Sequence, residues 1–215
     1  MVQSFTADNR KLVIAGGGGH CKSVLDIVYR MRCFSDMVIA DSAILSGTII
    51  MGCRVAGGDN ILPELYKEGF AEAVVAVGSI EKADIRKKLY ETLKRIGFSI
   101  PNIIDPSAVI SQEVKMDEGI FVGKNAVINS NSSIGKMAII NTASVIEHDS
   151  SVGDYTHVSV NAAICGNVIV GNNTFIGAGA TIIQGRHIGN NVVIGAGSTV
   201  LRNVESGSKV YGIVK

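Results

Sequence analysis

His148 is the residue whose neighbours in the sequence best suit acid–base chemistry, because it stands between Glu147 and Asp149. A carboxylate beside an imidazole raises the basicity of the ring and holds its orientation, so the ring can take a proton from an attacking group. The alternative is a solvated histidine in a turn. The two flanking acids favour the catalytic interpretation, and we predict that His148 is a general base.

A second stretch suited to chemistry lies near the N-terminus, where Gly16–Gly19 and His20 follow the apolar run Lys11–Ala15. A glycine turn between a strand and a helix presents backbone N–H groups that can hold a phosphate. Cys21 occupies the third glycine position of the dinucleotide fingerprint, so we expect a nucleotide other than a nicotinamide cofactor. A tight turn that needs glycine flexibility explains one or two of the four glycines, but not all of them.

The elements around this loop predict a small α/β domain. They are a strand at Lys11–Ala15, a helix at His20–Phe34, a strand at Met37–Asp41, a short helix at Ile61–Glu68, a strand at Ala73–Val77, a helix opened by Gly78 and Ser79 and closed by Gly97, and an extended piece at Ser99–Ile104. This order of strand, glycine turn, helix and strand is typical of a Rossmann-like unit. Pro101 and Pro106 mark the end of the domain, which we place at residues 1–103.

The rest of the chain, residues 104–215, carries a six-residue repeat that no helical period produces. The residue two positions before each repeat position is usually small or β-branched, and in a short strand both point to the same side. A sustained hexad predicts a parallel β-helix with about eighteen residues in each triangular coil and between five and six coils. A β-sandwich would instead show turn signals about every 8–12 residues and no such register. The repeat positions are Ile104, Ile110, Met116, Val122, Ile128, Ile134, Ile140, Ile146, Val152, Val158, Ile164, Val170, Ile176, Ile182, Ile188, Ile194 and Val200.

The coil length places polar residues that are distant in sequence on top of one another. His148 and Gly166 are one coil apart and should stack at one edge, and Asn141 and His157 should nearly stack at another. The two groups are about half a coil apart, so they can meet only across a boundary between subunits. For His157, a structural role at an interface and a functional role both remain open.

The outward-facing residues form three columns along the predicted β-helix. Two columns are largely apolar and one is largely polar, and contiguous apolar faces usually mark interfaces. Two such faces on a triangular body fit a closed three-fold ring, so we predict a homotrimer. The apolar columns are Val127, Val145, Ala163, Thr181 and Thr199, and Ile139, His157, Phe175 and Val193; the polar column is Ser133, Ser151, Ile169 and His187.

Composition excludes some partners. The net charge is +1, with no basic cluster, which argues against nucleic acid. No apolar run approaches the roughly 18 residues of a membrane span, and the polar stretch Met1–Arg10 has no signal-peptide core. Because the four cysteines show no paired spacing, we expect reduced thiols in a cytoplasmic protein that does not bind membranes.

Three motifs carry a family resemblance that covers nearly the whole chain. They are IAGGGGH at Ile14–His20, INTASVIEHDSSVG at Ile140–Gly153 and HVSVNAAICGNV at His157–Val168. The chain resembles the sugar O-/N-acyltransferases of the sialic-acid O-acetyltransferase and bacillosamine N-acetyltransferase type, which are hexapeptide-repeat acyltransferases. The resemblance implies an α/β domain that binds a nucleotide sugar, followed by a left-handed parallel β-helix. The left hand comes from the resemblance, since parallel crossovers are normally right-handed.

The resemblance also implies roles for particular residues. His148 would be the general base and Asp149 the carboxylate that orients it, while the Gly166 N–H would polarise the thioester carbonyl. Substrate-binding positions would be Gly16, Gly17, Gly18, Gly19, His20, Asp41, Gly78 and Asn141. Acetyl-CoA would lie along His157, Gly166, Ala178, Gly179 and Ala196, and no metal would be needed.

The implied function is acetyl-CoA-dependent N-acetylation of the amino group of a nucleotide-linked 4-amino-6-deoxy sugar. An alternative is O-acetylation of sialic acid or a related sugar hydroxyl by the same base. A zinc hydratase on the same fold needs three histidines, but His148, His157 and His187 are expected on different parts of the coil. The remaining alternative is a scaffold without activity, which would not release free CoA from the thioester.

Overall fold

The computed structural model describes residues 10–79 and 83–215. The described residues form two compact units, one from those within Met1–Gly78 and Lys87–Pro101 and the other from those within Ser79–Arg86 and Asn102–Lys215. Of the polar stretch Met1–Arg10, in which we expected no signal peptide, residues 1–9 lie outside the described residues.

The first unit is built on a five-stranded sheet with the order β3-β4-β2-β1-β5. All neighbouring strands are parallel except the β3–β4 pair. Because β1, β2 and β5 run in the same direction, the loops that follow them leave the sheet at one edge, where α/β proteins bind ligands. The elements before the repeat are β1 (Lys11–Ala15), α1 (Gly19–Met31), β2 (Asp36–Ala40), β3 (Ile49–Ile50), β4 (Cys53–Gly57), a 3₁₀ turn (Asp59–Ile61), α2 (Leu62–Lys67), β5 (Glu72–Val75) and α3 (Asp84–Ile96).

The predicted Rossmann-like α/β unit is confirmed, with local differences. Helix α1 ends three residues before the predicted Phe34, because Arg32 takes the left-handed conformation with φ 52°. Strands β3 and β4 were not predicted; they form a hairpin whose turn, Met51–Gly52, has positive φ at both residues. Helix α3 begins at Asp84 rather than at Gly78, and residues 80–82 lie outside the described residues. Gly97 ends α3 as predicted, with φ 118°.

The second unit is a parallel β-helix whose strands are two residues long, as the hexads predicted. Its strands form three sheets of seven, five and seven members, and paired residues such as Val127 and Val145 are one coil apart. The repeat residue Ile128 and the small residue Ala126 are both fully buried. The strands β6 to β24 are, in order, Ile103–Ile104, Val109–Ile110, Lys115–Met116, Phe121–Val122, Val127–Ile128, Ser133–Ile134, Ile139–Ile140, Val145–Ile146, Ser151–Val152, His157–Val158, Ala163–Ile164, Ile169–Val170, Phe175–Ile176, Thr181–Ile182, His187–Ile188, Val193–Ile194, Thr199–Val200, Lys209–Val210 and Ile213–Val214.

The corners of the β-helix repeatedly place a residue in the left-handed region. Asparagine tolerates this conformation better than most residues, and Asp149 occupies the same corner position with φ 60°. Side chains at these positions bond from coil to coil, as Asn173 Nδ2 does to Asn191 Oδ1 at 2.6 Å. Two pairs of corner residues, Asn131 with Asp149 and Asn173 with Asn191, therefore link neighbouring coils through their side chains. The asparagines in this conformation are Asn125, Asn131, Asn161, Asn167, Asn173 and Asn191.

One prediction about the outer faces is wrong. We expected the column of Ile139, His157, Phe175 and Val193 to be exposed in a single chain, but Ile139, His157 and Val193 are 1%, 8% and 7% exposed. The described part of Ser79–Arg86 packs against this face: the Ser79 carbonyl contacts the His157 ring, and buried Arg86 donates to a β-helix carbonyl. The column from Val127 to Thr199 is half-exposed. The homotrimer therefore stays a prediction, and only the column from Val127 to Thr199 now supports it as an accessible apolar face.

The described residues contain neither a membrane-spanning helix nor a cluster of metal-ligating side chains. Among residues 10–79 and 83–215, no helix has the length and apolar character needed to span a membrane. The same residues contain no group of three or more His, Cys, Asp or Glu placed to hold a metal ion. The cysteines are free thiols, and burial raises the pKa of Cys21 to about 12 and that of Cys53 to about 11.

Candidate active site

His148 lies at a corner of the β-helix, and its ring is held by Asp149. His148 Nδ1 donates to Asp149 Oδ2 at 2.7 Å, and Asp149 Oδ1 accepts from Asn131 Nδ2 at 2.7 Å. With the ring hydrogen on Nδ1, the neutral imidazole carries its lone pair on Nε2. The side chain of His148 is 63% exposed. Nε2 is thus the atom that can accept a proton from a bound group.

The electrostatics of this corner favour a protonatable His148 beside an ionised Asp149. The hydrogen bond to Asp149 is the largest cause and raises the pKa of His148; desolvation opposes it, and the charges of Asp149 and Glu147 add smaller contributions in the same direction as the hydrogen bond. The hydrogen bond from Asn131 lowers the pKa of Asp149, followed by that from His148. The carboxylate therefore keeps its charge over the range in which the imidazole titrates.

Gly166 lies directly over the His148 ring, which confirms the predicted stacking. A Cβ at Gly166 would stand 2.8 Å from both Cε1 and Nε2 of His148, closer than side chains approach in proteins. The main chains also bond here, with Asn167 N–H donating to the His148 carbonyl at 2.9 Å. Only glycine at position 166 leaves the ring where it is.

The Gly166 N–H group is available to a ligand. The Gly166 carbonyl accepts from the Gly185 N–H at 3.0 Å, but over the described ranges of the chain the N–H of Gly166 has no acceptor. A backbone N–H beside a potential base is the arrangement that stabilises an oxyanion in acyl transfer.

Asn141 and His157 also come together, at a different corner. Asn141 Nδ2 and His157 Nε2 are 3.1 Å apart, and His157 Nδ1 lies 2.7 Å from the Ser79 carbonyl. Because a carbonyl only accepts, Nδ1 carries the hydrogen, and Nε2 accepts from the Asn141 amide. Asn141 Oδ1 accepts from the Thr142 N–H at 2.8 Å, which fixes the amide orientation.

His157 is held neutral inside the protein. Burial lowers its pKa to about 4, with a smaller contribution from the charge of Arg86 and an opposing one from the Ser79 hydrogen bond. Its ring also packs edge-on against Phe175, with centroids 5.2 Å apart. Of the two roles left open for His157, these contacts favour the structural one, because both ring nitrogens are already bonded within the chain.

The predicted site residues of the β-helix divide between two corners of one chain. His148, Asp149 and Gly166 share the corner that follows β13 and β16. Ala178, Gly179 and Ala196 lie exposed at the corner that holds Asn141, and the Gly197 N–H donates to the Ala178 carbonyl at 2.8 Å. One chain does not bring the two corners together, so their meeting across a subunit boundary stays a prediction. The third histidine of the zinc alternative, His187, lies exposed on the polar column.

The glycine loop of the first unit divides into two halves. A Cβ at Gly16 would meet Val77 at 2.6 Å and one at Gly17 would meet Ile44 at 2.5 Å, whereas Gly18 and Gly19 are exposed and a Cβ there meets nothing within 4 Å. Packing therefore explains two of the four glycines. Helix α1 starts behind Gly18 with no side-chain cap and no acid in its first turn. The open N–H groups there suit an anion such as phosphate.

Asp41 connects this loop to the loop after β2. Its Oδ2 accepts from the Gly17 N–H at 2.6 Å and its Oδ1 from the Ala43 N–H at 2.7 Å. Asp41 also lines an open cleft of about 510 Å³ with Leu45 and Asn60. On the other side of β1, Gly78 lies 3.7 Å from the His20 side chain, measured from a Cβ built on the glycine. The predicted nucleotide-binding residues thus share the carboxyl edge of the sheet.

Sequence reasoning missed three residues that hold these groups. Asn131 was not singled out, although the coil length alone places it against Asp149. Ser79 and Arg86 could not be found this way, because they contact the β-helix from 78 and 51 positions away in the sequence. No periodicity links these segments.

Two family models match the chain. The PglD N-terminal domain matches residues 11–93, and the bacterial transferase hexapeptide model, which describes six repeats, matches residues 149–184 and 167–202. The comparison with curated proteins finds no match.

Several solved structures are similar over almost the whole chain. PerB from Caulobacter crescentus, solved with CoA and GDP-perosamine, is 37% identical with a TM-score of 0.85 and covers 94% of each chain. The acetyltransferase domain of PglB from Neisseria gonorrhoeae, solved with acetyl coenzyme A, is 31% identical with a TM-score of 0.88 and covers 95% of this chain and 97% of that one. WeeI from Acinetobacter baumannii is 26% identical with a TM-score of 0.82 and covers 94% and 97%.

Proposed function

Because the chain belongs to the family of hexapeptide-repeat sugar acetyltransferases that carry a PglD-type N-terminal domain, we propose that it acetylates the amino group of a nucleotide-linked 4-amino-6-deoxy sugar, with acetyl-CoA as donor. The similarity to a perosamine N-acetyltransferase solved with CoA and GDP-perosamine supports both the amine acceptor and the donor. The observation that carries the mechanism is the exposed His148, held by Asp149 and lying under Gly166.

In the proposed reaction, the sugar nitrogen attacks the thioester carbonyl carbon while His148 Nε2 takes a proton from that nitrogen. The carbonyl oxygen becomes an oxyanion, which accepts a hydrogen bond from the Gly166 N–H. The carbon–sulfur bond then breaks, and the leaving thiolate takes the proton from the His148 imidazolium. Amide and free CoA are the products, and the base is restored without a covalent enzyme intermediate.

We assign the substrates to different units. The nucleotide sugar would bind at residues 1–103, with its phosphates on the open N–H groups near Gly18 and Gly19 and its nucleoside in the cleft beside Asp41. Acetyl-CoA would bind along residues 104–215, next to Gly166 and along Ala178, Gly179 and Ala196. Asn141 would form a hydrogen bond to the sugar substrate, and His157 would hold the Asn141 amide in place.

A homotrimer completes the proposal, since His148 and Asn141 lie at separate corners of one chain. The half-exposed column from Val127 to Thr199 lies between these two corners and would form the contact. Sedimentation should give three times the mass of the chain. A stable monomer at micromolar concentration would contradict this part of the proposal.

The acceptor is tested with the full-length protein and matched sugar pairs. CoA release is followed with GDP-, UDP- and dTDP-linked 4-amino-6-deoxy sugars and with the counterparts that carry a 4-hydroxyl group. We expect one nucleotide series to turn over and only its amino member to gain an acetyl group by mass spectrometry. Preferential acetylation of the hydroxyl counterpart would favour the O-acetyltransferase alternative, and no CoA release with any sugar would contradict the proposal.

A further inference from the structure

Asn131 makes a contact that the proposed mechanism does not yet use. It lies one coil before Asp149 at the same corner, and its Nδ2 donates to Asp149 Oδ1 at 2.7 Å. The other oxygen of that carboxylate, Oδ2, accepts from His148 Nδ1 at 2.7 Å. The two bonds occupy both oxygens of the carboxylate and leave it one orientation relative to the ring.

A fixed carboxylate matters at this corner because the histidine and its acid are exposed. The side chains of His148 and Asp149 are 63% and 49% exposed, and an exposed pair of this kind is weak, since water competes for both groups and both side chains lose freedom to form it. Without another restraint the carboxylate would exchange its bond to the ring for bonds to water. Asn131 supplies the restraint from the neighbouring coil.

The main chain makes Asn131 a rigid support. Asn131 and Asp149 both take the left-handed corner conformation, with φ 59° and 60°. The coils are tied beside them, since the Asp149 N–H donates to the Ser130 carbonyl at 3.1 Å. The donor and the acceptor are therefore both held by backbone contacts of the stack, and neither needs a long side chain to reach the other.

We propose that Asn131 is a positioning residue for the reaction, which fixes the Asp149 carboxylate and through it the His148 ring with Nε2 against Gly166. The inference rests on the proposed function of His148 as the base. Asn131 touches neither reacting group in this scheme, and its effect passes through the carboxylate alone.

The β-helix contains a comparable contact, in which an asparagine Nδ2 donates to a side-chain oxygen one coil away but no histidine accepts a proton beside it. Asn173 Nδ2 donates to Asn191 Oδ1 at 2.6 Å across one coil, from the same corner conformation. If the Asn131 contact only stabilised the stack, losing either contact would have the same effect. If Asn131 positions the base, only its own loss changes the reaction.

The test replaces Asn131 and, as the control, Asn191 by glycine, which suits positive φ and removes the side chain without strain. In Asn131→Gly we expect kcat to fall about 3-fold, which is within the range for an exposed pair, with an unchanged KM for acetyl-CoA. The pKa of His148, followed by NMR through its ring Cε1–H, should fall toward its ordinary value. Asn191→Gly should leave kcat and the His148 pKa as in the wild type.

Asn131→Asp provides a second variant that keeps the shape of the side chain and tolerates the same backbone conformation. It replaces the donor by an acceptor, so the Asp149 carboxylate should be repelled and kcat should fall at least as far as in Asn131→Gly. Wild-type kcat and His148 pKa in both Asn131 variants would overturn the proposal. Equal losses of kcat in Asn131→Gly and Asn191→Gly would also overturn it, because the effect would then belong to the stack.

Failure of the proposed function gives a different result. If His148→Ala keeps wild-type activity, His148 is not the base, and the kcat values of the Asn131 variants no longer report on its positioning. The NMR titration does not depend on turnover, so a lowered His148 pKa in Asn131→Gly would still support the positioning of the ring, and an unchanged pKa would refute it.

Discussion

His148 and His157 are nine residues apart in one β-helix, and each pairs Nδ1 with an oxygen at 2.7 Å. The partner of His148 is the Asp149 carboxylate at an exposed corner, whereas that of His157 is the Ser79 backbone carbonyl at a buried face of the β-helix. The hydrogen bond to Asp149 raises the pKa of His148, and burial lowers that of His157 to about 4. The same bond length thus accompanies opposite proton chemistry.

This difference shows what separates a base from a structural histidine. His148 has an accessible Nε2 lone pair, and its imidazolium is stabilised by a neighbouring charge, so it can take a proton and release it. The Nε2 of His157 accepts from Asn141, and its protonation would place a charge in an apolar site near Arg86. His157 can hold a neighbouring amide, but it cannot serve as a proton acceptor near neutral pH.

The largest effect should follow from removing the exposed histidine. His148→Ala should lower kcat by roughly 10²–10⁴ with little change in the KM for acetyl-CoA, because the proton acceptor acts mainly in the transition state. His148→Asn should behave alike. His187→Ala on the polar column is the control and should match the wild type in steady-state assays. If His148→Ala retains more than about half of the wild-type kcat, the contrast between the two histidines has no catalytic meaning.

The second effect tests the buried histidine through stability. The folded-state pKa of about 4 lies below the ordinary value of about 6.5, so the unfolded chain binds a proton that the folded chain refuses. The contribution of His157 is fully present above about pH 6.5 and is lost as the pH falls toward 4. At pH 5 this loss should be about 2 kcal/mol of unfolding free energy.

Urea unfolding at pH 7 and pH 5 measures this loss, with His157→Phe as the matched variant. Phe suits the apolar neighbours Ile139, Phe175 and Val193, so it keeps the packing while removing the titration. The free energy of unfolding of His157→Phe should fall less between the two pH values than that of the wild type, by about the same 2 kcal/mol. Parallel pH dependences in the two proteins would show that His157 titrates normally.

Part of this contrast was predictable and part was not. The hexad fixes the coil length, and the coil length correctly stacks Gly166 over His148 and Asn141 against His157. It also fixes each inward-facing residue, because a two-residue strand leaves no choice of side. The sequence did not show that one apolar column would be buried, because that depends on Ser79 and Arg86, which reach the β-helix from a segment without repeats. The lowered pKa of His157 follows from this covering, so the sequence could not assign it. The raised pKa of His148 follows from its sequence neighbours Asp149 and Glu147, and the sequence did indicate it.

A third, smaller effect concerns the glycine over the base. In Gly166→Ala the new Cβ would stand 2.8 Å from the His148 ring, so the exposed ring must move by several tenths of an ångström. We expect kcat to fall about 10-fold, since small displacements of a catalytic group are costly. The thermal midpoint should stay near that of the wild type, because the ring moves toward solvent. Wild-type kcat in this variant would show that the position of the ring over Gly166 is not required.

Among the changes at the two histidines and the residues beside them, Asp149→Asn should have the smallest effect, and it is the sharpest test of the comparison. Asparagine tolerates the left-handed corner and can still accept from His148 Nδ1, so the ring keeps its neighbour but loses the neighbouring charge. We expect kcat at its plateau to fall only about 5-fold, in line with an exposed pair. The rising limb of the pH–rate profile should move to lower pH, because Asp149 is the main cause of the raised His148 pKa.

In Asp149→Asn, the lower plateau kcat reduces activity, whereas the shift of the limb to lower pH increases it below the plateau. A base works only in its neutral form, and in Asp149→Asn a larger fraction of His148 is neutral at low pH. The deficit should therefore be greatest on the plateau and shrink as the pH falls through the limb. The amine substrate has its own deprotonation, which is identified by a limb that persists in His148→Ala. If the limb does not move in Asp149→Asn while it is absent in His148→Ala, the charge of Asp149 does not set the basicity of His148, and Glu147 becomes the residue to test.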